Sequence, residues 1–226
     1  MNHINSWKSS KKIFYDQLNL NMKEFTVGPA PKHWKTFVEF VKRTKPKRIH
    51  DIGCGAGIYS EICKYTEGNY SINEKHDVEY VGYDYADAAI EVAEEAWLKR
   101  KGSNCSFHVK SYQEFTKNDI KEGDCIVANG LVTVMQDGDK CTEHLMSLQC
   151  KNLLIQRQVL HDGDNHYTTY EVYGNNTTYN YKMSRTFLKT LTRKYNYDVE
   201  LIELYDSQKN NGDFDRIYDI VLELRD

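Results

Sequence analysis

Apolar positions recur with the period of a helix shortly after Pro31. Trp34, Phe37, Val38 and Val41 follow the spacing i, i+3, i+4, i+7, which places them on one face of a helix. A proline suits the first turn of such a helix, because that turn leaves its N–H groups unpaired. All three prolines of the chain fall before residue 47. We therefore expect a helical N-terminal appendage over residues 1–46 that packs on a domain formed by residues 47–226.

From residue 47 onward, short apolar runs alternate with helical segments. The predicted strands are residues 47–51, 79–83, 105–109, 124–128 and 153–159, and the predicted helices between them are residues 58–64, 89–97, 113–117 and 140–150. Such alternation is typical of a parallel sheet with helices on both faces. After a helix at 184–195, two extended runs, 199–205 and 216–224, lack a helix between them and must pair antiparallel. The predicted fold class is α/β, a doubly wound, mostly parallel sheet of seven strands with a C-terminal antiparallel hairpin.

Composition excludes several other classes of protein. The chain has 226 residues, of which 40% are hydrophobic and 28% are charged. It has no run approaching the roughly 18 apolar residues of a membrane span, and no apolar signal core near its first residue. Six cysteines occur without a Cys-x-x-Cys pair, so free thiols are expected rather than a zinc or redox site. We expect a cytoplasmic protein with no membrane association.

Charge is distributed unevenly. Residues 1–50 carry a net charge of +8, and the rest of the chain carries −11. The basic excess includes Lys42, Arg43, Lys45, Lys47 and Arg48. A basic edge attracts polyanions such as RNA, but no aromatic residues are interleaved with these side chains to stack on bases. Nucleic acid therefore stays an alternative partner that is not favoured over a solvated connection.

A glycine-rich turn follows the first predicted strand. Gly53, Gly55 and Gly57 offer no side chains that would block a ligand, and the next helix presents unpaired N–H groups to it. Asp84 ends the second strand, and the carboxyl ends of parallel strands meet at the ligand-binding edge of such a sheet. The spacing G-x-G-x-G differs from the G-x-G-x-x-G of nicotinamide enzymes. Two alternatives stay open: a turn that binds nothing, and Asp84 acting only as a helix N-cap.

Residues 51–57, Asp-Ile-Gly-Cys-Gly-Ala-Gly, resemble the first motif of class I S-adenosylmethionine-dependent methyltransferases, and residues 81–84, Val-Gly-Tyr-Asp, resemble the second. The resemblance implies a Rossmann-like transferase with S-adenosylmethionine as its cofactor. It places Asp51, Gly53, Cys54, Gly55 and Gly57 near the methionine part of the cofactor. It also implies that Asp84 accepts hydrogen bonds from the ribose hydroxyls and that Tyr85 packs against adenine.

The resemblance extends to the ends of the third and fourth strands. The family often has an acid after the third strand, whereas this chain has Ser111, Tyr112 and Gln113, which offer hydroxyl or amide groups to adenine instead. Asn129 and Gly130 follow the fourth strand, where the sulfonium and the acceptor usually meet in the family. No proline follows residue 46, so the Asn/Asp-Pro-Pro motif of DNA amino-methyltransferases is absent.

Residues 161–181 form a long segment that we interpret as a lid or binding loop. Its tyrosines at 170, 173, 179 and 181 suit an aromatic wall, and His161 or His166 suits a general base. Its histidines and aspartates are also ordinary turn residues, so no metal is expected. This segment, together with residues 154–157 before it and 181–187 after it, faintly resembles methyltransferase-like proteins encoded among bacterial surface-polysaccharide genes.

These observations predict methylation of a small-molecule or sugar-like acceptor at oxygen or nitrogen. A catalytically silent S-adenosylmethionine-binding partner module and an RNA methyltransferase stay as alternatives. The acceptor atom and the oligomeric state are left open.

Overall fold

The computed structural model describes residues 10–27, 31–64, 78–98, 104–172, 176–208 and 214–226. A glycine is common just after a helix, and Gly102 suits that position after the helix predicted at 89–97, but it lies outside the described residues. So does Tyr173, one of the tyrosines of the predicted aromatic wall. Among the helices described, none is long and apolar enough to cross a membrane. All six cysteines are free thiols.

The described residues form six helices and nine strands. The helices are α1 (Lys11–Val27), α2 (Lys32–Thr44), α3 (Ile58–Lys64), α4 (Asp87–Trp97), α5 (Gly138–Ser147) and α6 (Arg185–Lys194). The strands are β1 (Arg48–Ile52), β2 (Glu79–Asp84), β3 (Cys105–Val109), β4 (Asp124–Asn129), β5 (Asn152–His161), β6 (His166–Val172), β7 (Asn176–Ser184), β8 (Tyr197–Gln208) and β9 (Phe214–Leu224). Short 3₁₀ turns cover Tyr112–Glu114, Lys117–Asp119 and Val132–Val134.

The sheet confirms the predicted fold class. Its parallel part has the strand order β3-β2-β1-β4-β5, and β9 then pairs antiparallel with β5 and with β8. Apolar side chains cover both faces of the sheet. On one face, helices α1, α2, α3 and α4 pack on strand residues such as Ile49 and Val127. On the other face, α5 and α6 pack on strand residues such as Ile126 and Leu153. Both faces are therefore buried, as a doubly wound sheet requires.

The segment predicted as a loop at 161–181 is instead largely a β-hairpin formed by β6 and β7. This hairpin raises the strand count from the expected seven to nine. Its strands are rich in tyrosine and threonine, which favour extended backbone, but their polar character concealed them. The interpretation of this long segment as a loop was therefore wrong.

The hairpin stands above the carboxyl end of β4. β9 occupies one edge of β5 as far as Val159, and β4 occupies the other edge at residues 152–156. β7 pairs with β5 at residues 159–161, so it takes over the edge that β4 leaves free. The Gln136 amide donates to the Tyr167 hydroxyl at 2.9 Å and fastens β6 to the segment after β4.

The predicted helix after Pro31 is confirmed as α2. Trp34, Phe37, Val38 and Val41 are all buried, with at most 2% of each side chain exposed. They pack in the same apolar cluster as Phe14 and Leu18 of α1. Both helices therefore lie on the face of the sheet that α3 and α4 also cover. The division of the chain at residue 46 stays a prediction.

Candidate functional site

The glycine turn, residues 53–57, has a backbone that only glycine adopts easily. Its three glycines have φ values of +79°, +52° and +72°, in the left-handed region where a Cβ is strained. The N–H groups of Gly53 and Cys54 donate to the carbonyl oxygen of Tyr83 at 2.8 and 2.9 Å. A Cβ on Gly57 would lie 2.5 Å from the Phe107 ring. The turn is thus tied to the end of β2 and packed on β3.

Asp84 points from the end of β2 toward the glycine turn. Its Oδ2 accepts a hydrogen bond from the Gly55 N–H at 3.0 Å, and its Oδ1 accepts one from the Ala86 N–H at 2.9 Å. The bond to Ala86 is a local Asx-turn contact rather than a helix cap, because Ala86 itself occupies the N-cap position of α4. Asp84 thus serves its own turn and the glycine turn together. Burial raises the pKa of Asp84, and these backbone N–H groups partly oppose that rise.

Asp51 ends up buried beside the turn with one oxygen unsatisfied. Its Oδ2 accepts a hydrogen bond from the Tyr80 hydroxyl at 2.5 Å, whereas its Oδ1 is buried without a hydrogen-bond partner. Burial raises the pKa of Asp51 to about 7, and the nearby charge of Asp84 adds to the rise. A buried polar atom without a partner is costly, so Oδ1 is suited to a donor supplied by a ligand.

A cleft opens beside the turn. Five predicted cofactor residues line it: Asp51, Gly53, Cys54, Gly55 and Asn129. It also contains residues that sequence reasoning missed: Gln17 and Asn21 of α1, His33 and Trp34 of α2, Tyr59 of α3, and Arg157 of β5. Helices α1 and α2 therefore form one wall of the cleft, and the end of β4 with Arg157 of β5 forms another.

The residues predicted to face adenine follow β2 and β3 at the same edge of the sheet. Tyr85 comes directly after Asp84 and is 38% exposed. Asp84 pairs with Val109 in the sheet, so the segment that begins at Ser111 starts beside it. The Ser111 hydroxyl accepts from the Gln113 N–H and caps the short turn there, and the Tyr112 side chain is buried. These residues do not line the cleft, and their roles stay predictions.

The predicted bases lie away from the cleft. The rings of His161 and His166 meet edge to face, with centroids 4.7 Å apart, where β5 leads into β6. His161 follows Arg157 by four residues along β5, which corresponds to about 13 Å of extended strand. Neither histidine lines the cleft, and their role as bases stays a prediction. No group of three His, Cys, Asp or Glu side chains suits a metal ion within the described part of the chain.

Arg157 lies in the cleft because of an irregularity in β5. The register against β9 shifts between Ile155 and Gln158, and Arg157 has a φ of +59° at this bulge. The Arg157 N–H donates to Oδ1 of Asp219 at 3.0 Å, and its Nε donates to Oδ1 of Asn129 at 2.9 Å. Gly130, with a φ of +70°, leaves room for the guanidinium, since a Cβ there would lie 2.3 Å from Nη2.

His33 lies near Arg157 at the start of α2. Its Nδ1 is buried and has no hydrogen-bond partner. Burial lowers the pKa of His33 to about 3, and the positive charge of Arg157 contributes to the decrease. The imidazole is therefore neutral at physiological pH. No sequence motif joins residues 33 and 157, so only the folded chain identifies the pair.

The basic N-terminal edge is partly neutralised by the rest of the molecule. Arg43 pairs with Glu200 at 2.8 Å, and Arg48 pairs with Glu79 at 2.7 Å. Two of the five basic residues singled out in the sequence thus contact carboxylates of β8 and β2. This pairing weakens the case for a polyanion at that edge.

Comparison with known proteins agrees with this geometry. A family model described as a methyltransferase domain matches residues 43–204. No match was found among curated proteins.

Several solved structures share the fold. A S-adenosylmethionine-dependent methyltransferase from Methanosarcina mazei is 14% identical over 80% of this chain and 93% of its own, with a TM-score of 0.56. The N-terminal domain of EvdMO1, crystallised in the presence of SAH and D-fucose, is 10% identical over 88% of this chain and 85% of its own, with a TM-score of 0.58. The 1,6-didemethyltoxoflavin-N1-methyltransferase of Burkholderia thailandensis is 11% identical over 95% of this chain and 87% of its own, with a TM-score of 0.56. At such identities, the structural likeness establishes the fold.

The family model covers well over half of the chain, and the glycine turn with Asp84 carries the motifs of the class I enzymes. The chain therefore belongs to the methyltransferase-domain family and is a S-adenosylmethionine-dependent methyltransferase.

Proposed function

We propose that this methyltransferase binds S-adenosylmethionine between the glycine turn and Asp84 and methylates a small-molecule acceptor, of which a sugar-like compound is one candidate. The observation that carries the proposal is the buried Oδ1 of Asp51, which lacks a partner at the wall of the cleft. The cofactor has an ammonium group on its methionine part. That group is the complement of an unsatisfied buried carboxylate oxygen.

The other end of the cofactor suits Asp84. Each oxygen of this carboxylate already accepts one backbone N–H, and each has a further lone pair for a ribose hydroxyl. Between the two carboxylates, a Cβ on Gly55 would meet only the Gln17 side chain, at 3.1 Å. The turn therefore leaves space for a ligand next to its backbone. By the family pattern, Ser111, Tyr112, Gln113 and Tyr85 would lie on the adenine side.

The chemistry needs positioning more than activation. S-adenosylmethionine supplies a methyl group that is already activated by its sulfonium. The protein must align the acceptor with that methyl group and exclude water. In this chain, Asn129 and Gly130 at the end of β4 would hold the reacting centre, and α1, α2 and the β6–β7 hairpin would enclose it.

The walls of the site favour a small acceptor. The cleft is bounded by the N-terminal helices on one side and by strand ends on the other. Two proteins of similar fold were crystallised with small molecules, one with 1,6-didemethyltoxoflavin bound and one in the presence of D-fucose. These two structures support a small-molecule acceptor for this chain, and a cytoplasmic location stays a prediction beside it.

Calorimetric titration with S-adenosylhomocysteine tests the cofactor site. We expect saturable heat in the micromolar range, and none with NAD⁺, which is the matched control because nicotinamide enzymes also use a glycine turn. Absence of heat with S-adenosylhomocysteine at high micromolar concentration would contradict the proposal.

Transfer of a labelled methyl group tests the acceptor class. Purified protein is incubated with labelled S-adenosylmethionine and either a small-molecule extract or an RNA extract. We expect label only in the small-molecule fraction. Label found only in RNA would show that the acceptor is RNA rather than a small molecule. Binding of S-adenosylmethionine without transfer to either fraction would favour the catalytically silent partner module.

A further inference from the structure

We propose that Arg157 and His33 form an anion-binding subsite, so that the acceptor carries a carboxylate or phosphate group. This inference rests on the proposed function, because it names the class of acceptor for the same cleft. Arg157 faces the cleft and, among the described residues, its guanidinium forms no ion pair, although its charge acts on the nearby buried carboxylate of Asp219.

The hydrogen bonds of Arg157 leave most of its guanidinium free. Nε donates to the neutral amide oxygen of Asn129. Among the residues described, no ion pair or hydrogen bond engages Nη1 or Nη2. Asp219 lies close by, but it accepts from the backbone N–H of Arg157 and from the Gln156 amide rather than from the guanidinium. Two terminal nitrogens with parallel N–H groups are the geometry that binds carboxylates and phosphates.

The backbone that carries Arg157 is held in place by a buried network. Asp219 is fully buried, and Gln156 is anchored by Asp219 at 2.9 Å and by the carbonyl oxygen of His33 at 2.7 Å. The Tyr59 hydroxyl donates to Gln156 at 2.5 Å. This network keeps Arg157 at a positive φ, a conformation that costs a non-glycine residue energy. A strained cation that buried groups hold in a cleft is typical of a ligand contact.

His33 completes the subsite. Its buried Nδ1 has no partner within the described protein, and a neutral imidazole has one nitrogen that donates and one that accepts. An anion beside Arg157 would accept from the donating nitrogen and offset the guanidinium charge. The two residues therefore suit the same negatively charged group.

The position of Arg157 in the sheet favours the acceptor over the cofactor. In the order β2-β1-β4-β5, Arg157 lies two strands from Asp51 and three strands from Asp84. These separations correspond to about 10 and 14 Å at the usual strand spacing. The cofactor's carboxylate lies next to its ammonium group, which the proposed function places at Asp51. Arg157 instead stands beside Asn129, on the acceptor side.

Nuclear magnetic resonance of protein labelled with ¹³C in its histidine rings tests this subsite. The probes are inorganic phosphate and acetate, with acetamide as the neutral control, added to protein saturated with S-adenosylhomocysteine. A spectrum of H33N identifies the His33 signal. We expect phosphate and acetate, but not acetamide, to shift that signal with saturation in the millimolar range.

Variants separate the anion site from a general charge effect. R157Q should weaken phosphate binding at least tenfold and leave S-adenosylhomocysteine affinity within about twofold of wild type. R157K should give an intermediate result, because it keeps the charge and loses the planar fork. R43Q, which removes a cation outside the cleft, should bind phosphate like wild type.

Three results would overturn the inference. They are an unmoved His33 signal in wild-type protein, unchanged phosphate binding by R157Q, and a loss of S-adenosylhomocysteine affinity of more than tenfold in R157Q. The last result would assign Arg157 to the cofactor. If wild-type protein does not bind S-adenosylhomocysteine, the proposed function fails, and phosphate titration of the free protein then decides the anion site by itself.

Discussion

The two sides of the cleft carry opposite charge and have different origins. The turn side has two buried carboxylates near the ends of adjacent strands, of which Asp51 lines the cleft and Asp84 lies behind it, hydrogen-bonded to the glycine turn. The β5 side has the guanidinium of Arg157 and the imidazole of His33, which come from distant parts of the chain. A cofactor with a cationic group at the turn side and an acceptor with an anionic group at the β5 side would complement both.

Both sides also hold unfavourable energy, but of different kinds. On the turn side, the cost is electrostatic, because burial of Asp51 raises its pKa to about 7. On the β5 side, the cost lies in the backbone, because Arg157 adopts a φ of +59°. The comparison predicts that variants of the turn side respond to pH, and that variants of Arg157 respond to backbone freedom.

The largest expected effect is on the pH dependence of stability at Asp51. Its pKa is raised in the folded state, so the stability that protonation supplies is present below about pH 4 and is lost as the pH rises through about 7. Asp51→Asn removes this loss. Between about pH 4 and pH 7, the free energy of unfolding of the variant should rise relative to wild type by about 1.4 kcal/mol per pH unit, or by about 4 kcal/mol in all. Urea unfolding of the ligand-free proteins at pH 4 to 8 measures the difference.

Glu122→Gln, which removes a carboxylate from an exposed turn, serves as the control and should follow wild type at every pH. Asp51→Asn should also weaken S-adenosylhomocysteine binding, since it removes the charge that faces the cleft. A constant stability difference from pH 4 to 8 would contradict the account of Asp51 as a buried, poorly paired carboxylate.

Two glycine substitutions separate packing from ligand space on the turn side. Gly57→Ala places a Cβ 2.5 Å from the buried Phe107 ring at a φ of +72°. We expect a loss of about 3 kcal/mol in unfolding free energy from overpacking and backbone strain together. Gly55→Ala meets only a flexible glutamine side chain, so we expect a loss of about 1 kcal/mol from strain.

The readout is again urea unfolding, together with calorimetry for S-adenosylhomocysteine. Gly55→Ala should clearly weaken the binding of S-adenosylhomocysteine although it changes the free energy of unfolding little, because its methyl group enters the cleft. Equal losses of stability in the two variants would show that the Phe107 contact does not restrict residue 57.

The next effect concerns Asp84 and separates its two roles. Asp84→Asn keeps an oxygen for the local turn but removes the charge and one acceptor. Charge-assisted hydrogen bonds contribute about 1.5–3 kcal/mol each, so we expect S-adenosylhomocysteine affinity to fall about 100-fold. Asp87→Asn, three residues later on the exposed start of α4, should stay within twofold of wild type. An unchanged affinity in Asp84→Asn would mean that Asp84 serves only the local turn and does not bind the cofactor.

The same contrast explains which parts of the molecule could be predicted from the sequence. The glycine turn and Asp84 are local patterns at strand ends, so spacing and residue type were sufficient to find them. The strands β6 and β7 were missed because polar residues dominate them and they pair mainly with each other. Arg157 gave no signal, because its bulge depends on Asp219, 62 residues away in the chain. His33 likewise joins the site only through the docking of α2.

The smallest predicted effect isolates the backbone cost at Arg157. R157Q and R157G both remove the guanidinium and its hydrogen bond to Asn129, so both should lose phosphate binding. They differ in backbone freedom, because only glycine adopts a φ of +59° without strain. R157G should therefore be more stable than R157Q by about 1 kcal/mol in urea unfolding. Equal stability would mean that the backbone at residue 157 relaxes once the arginine side chain is removed. The positive φ would then depend on that side chain.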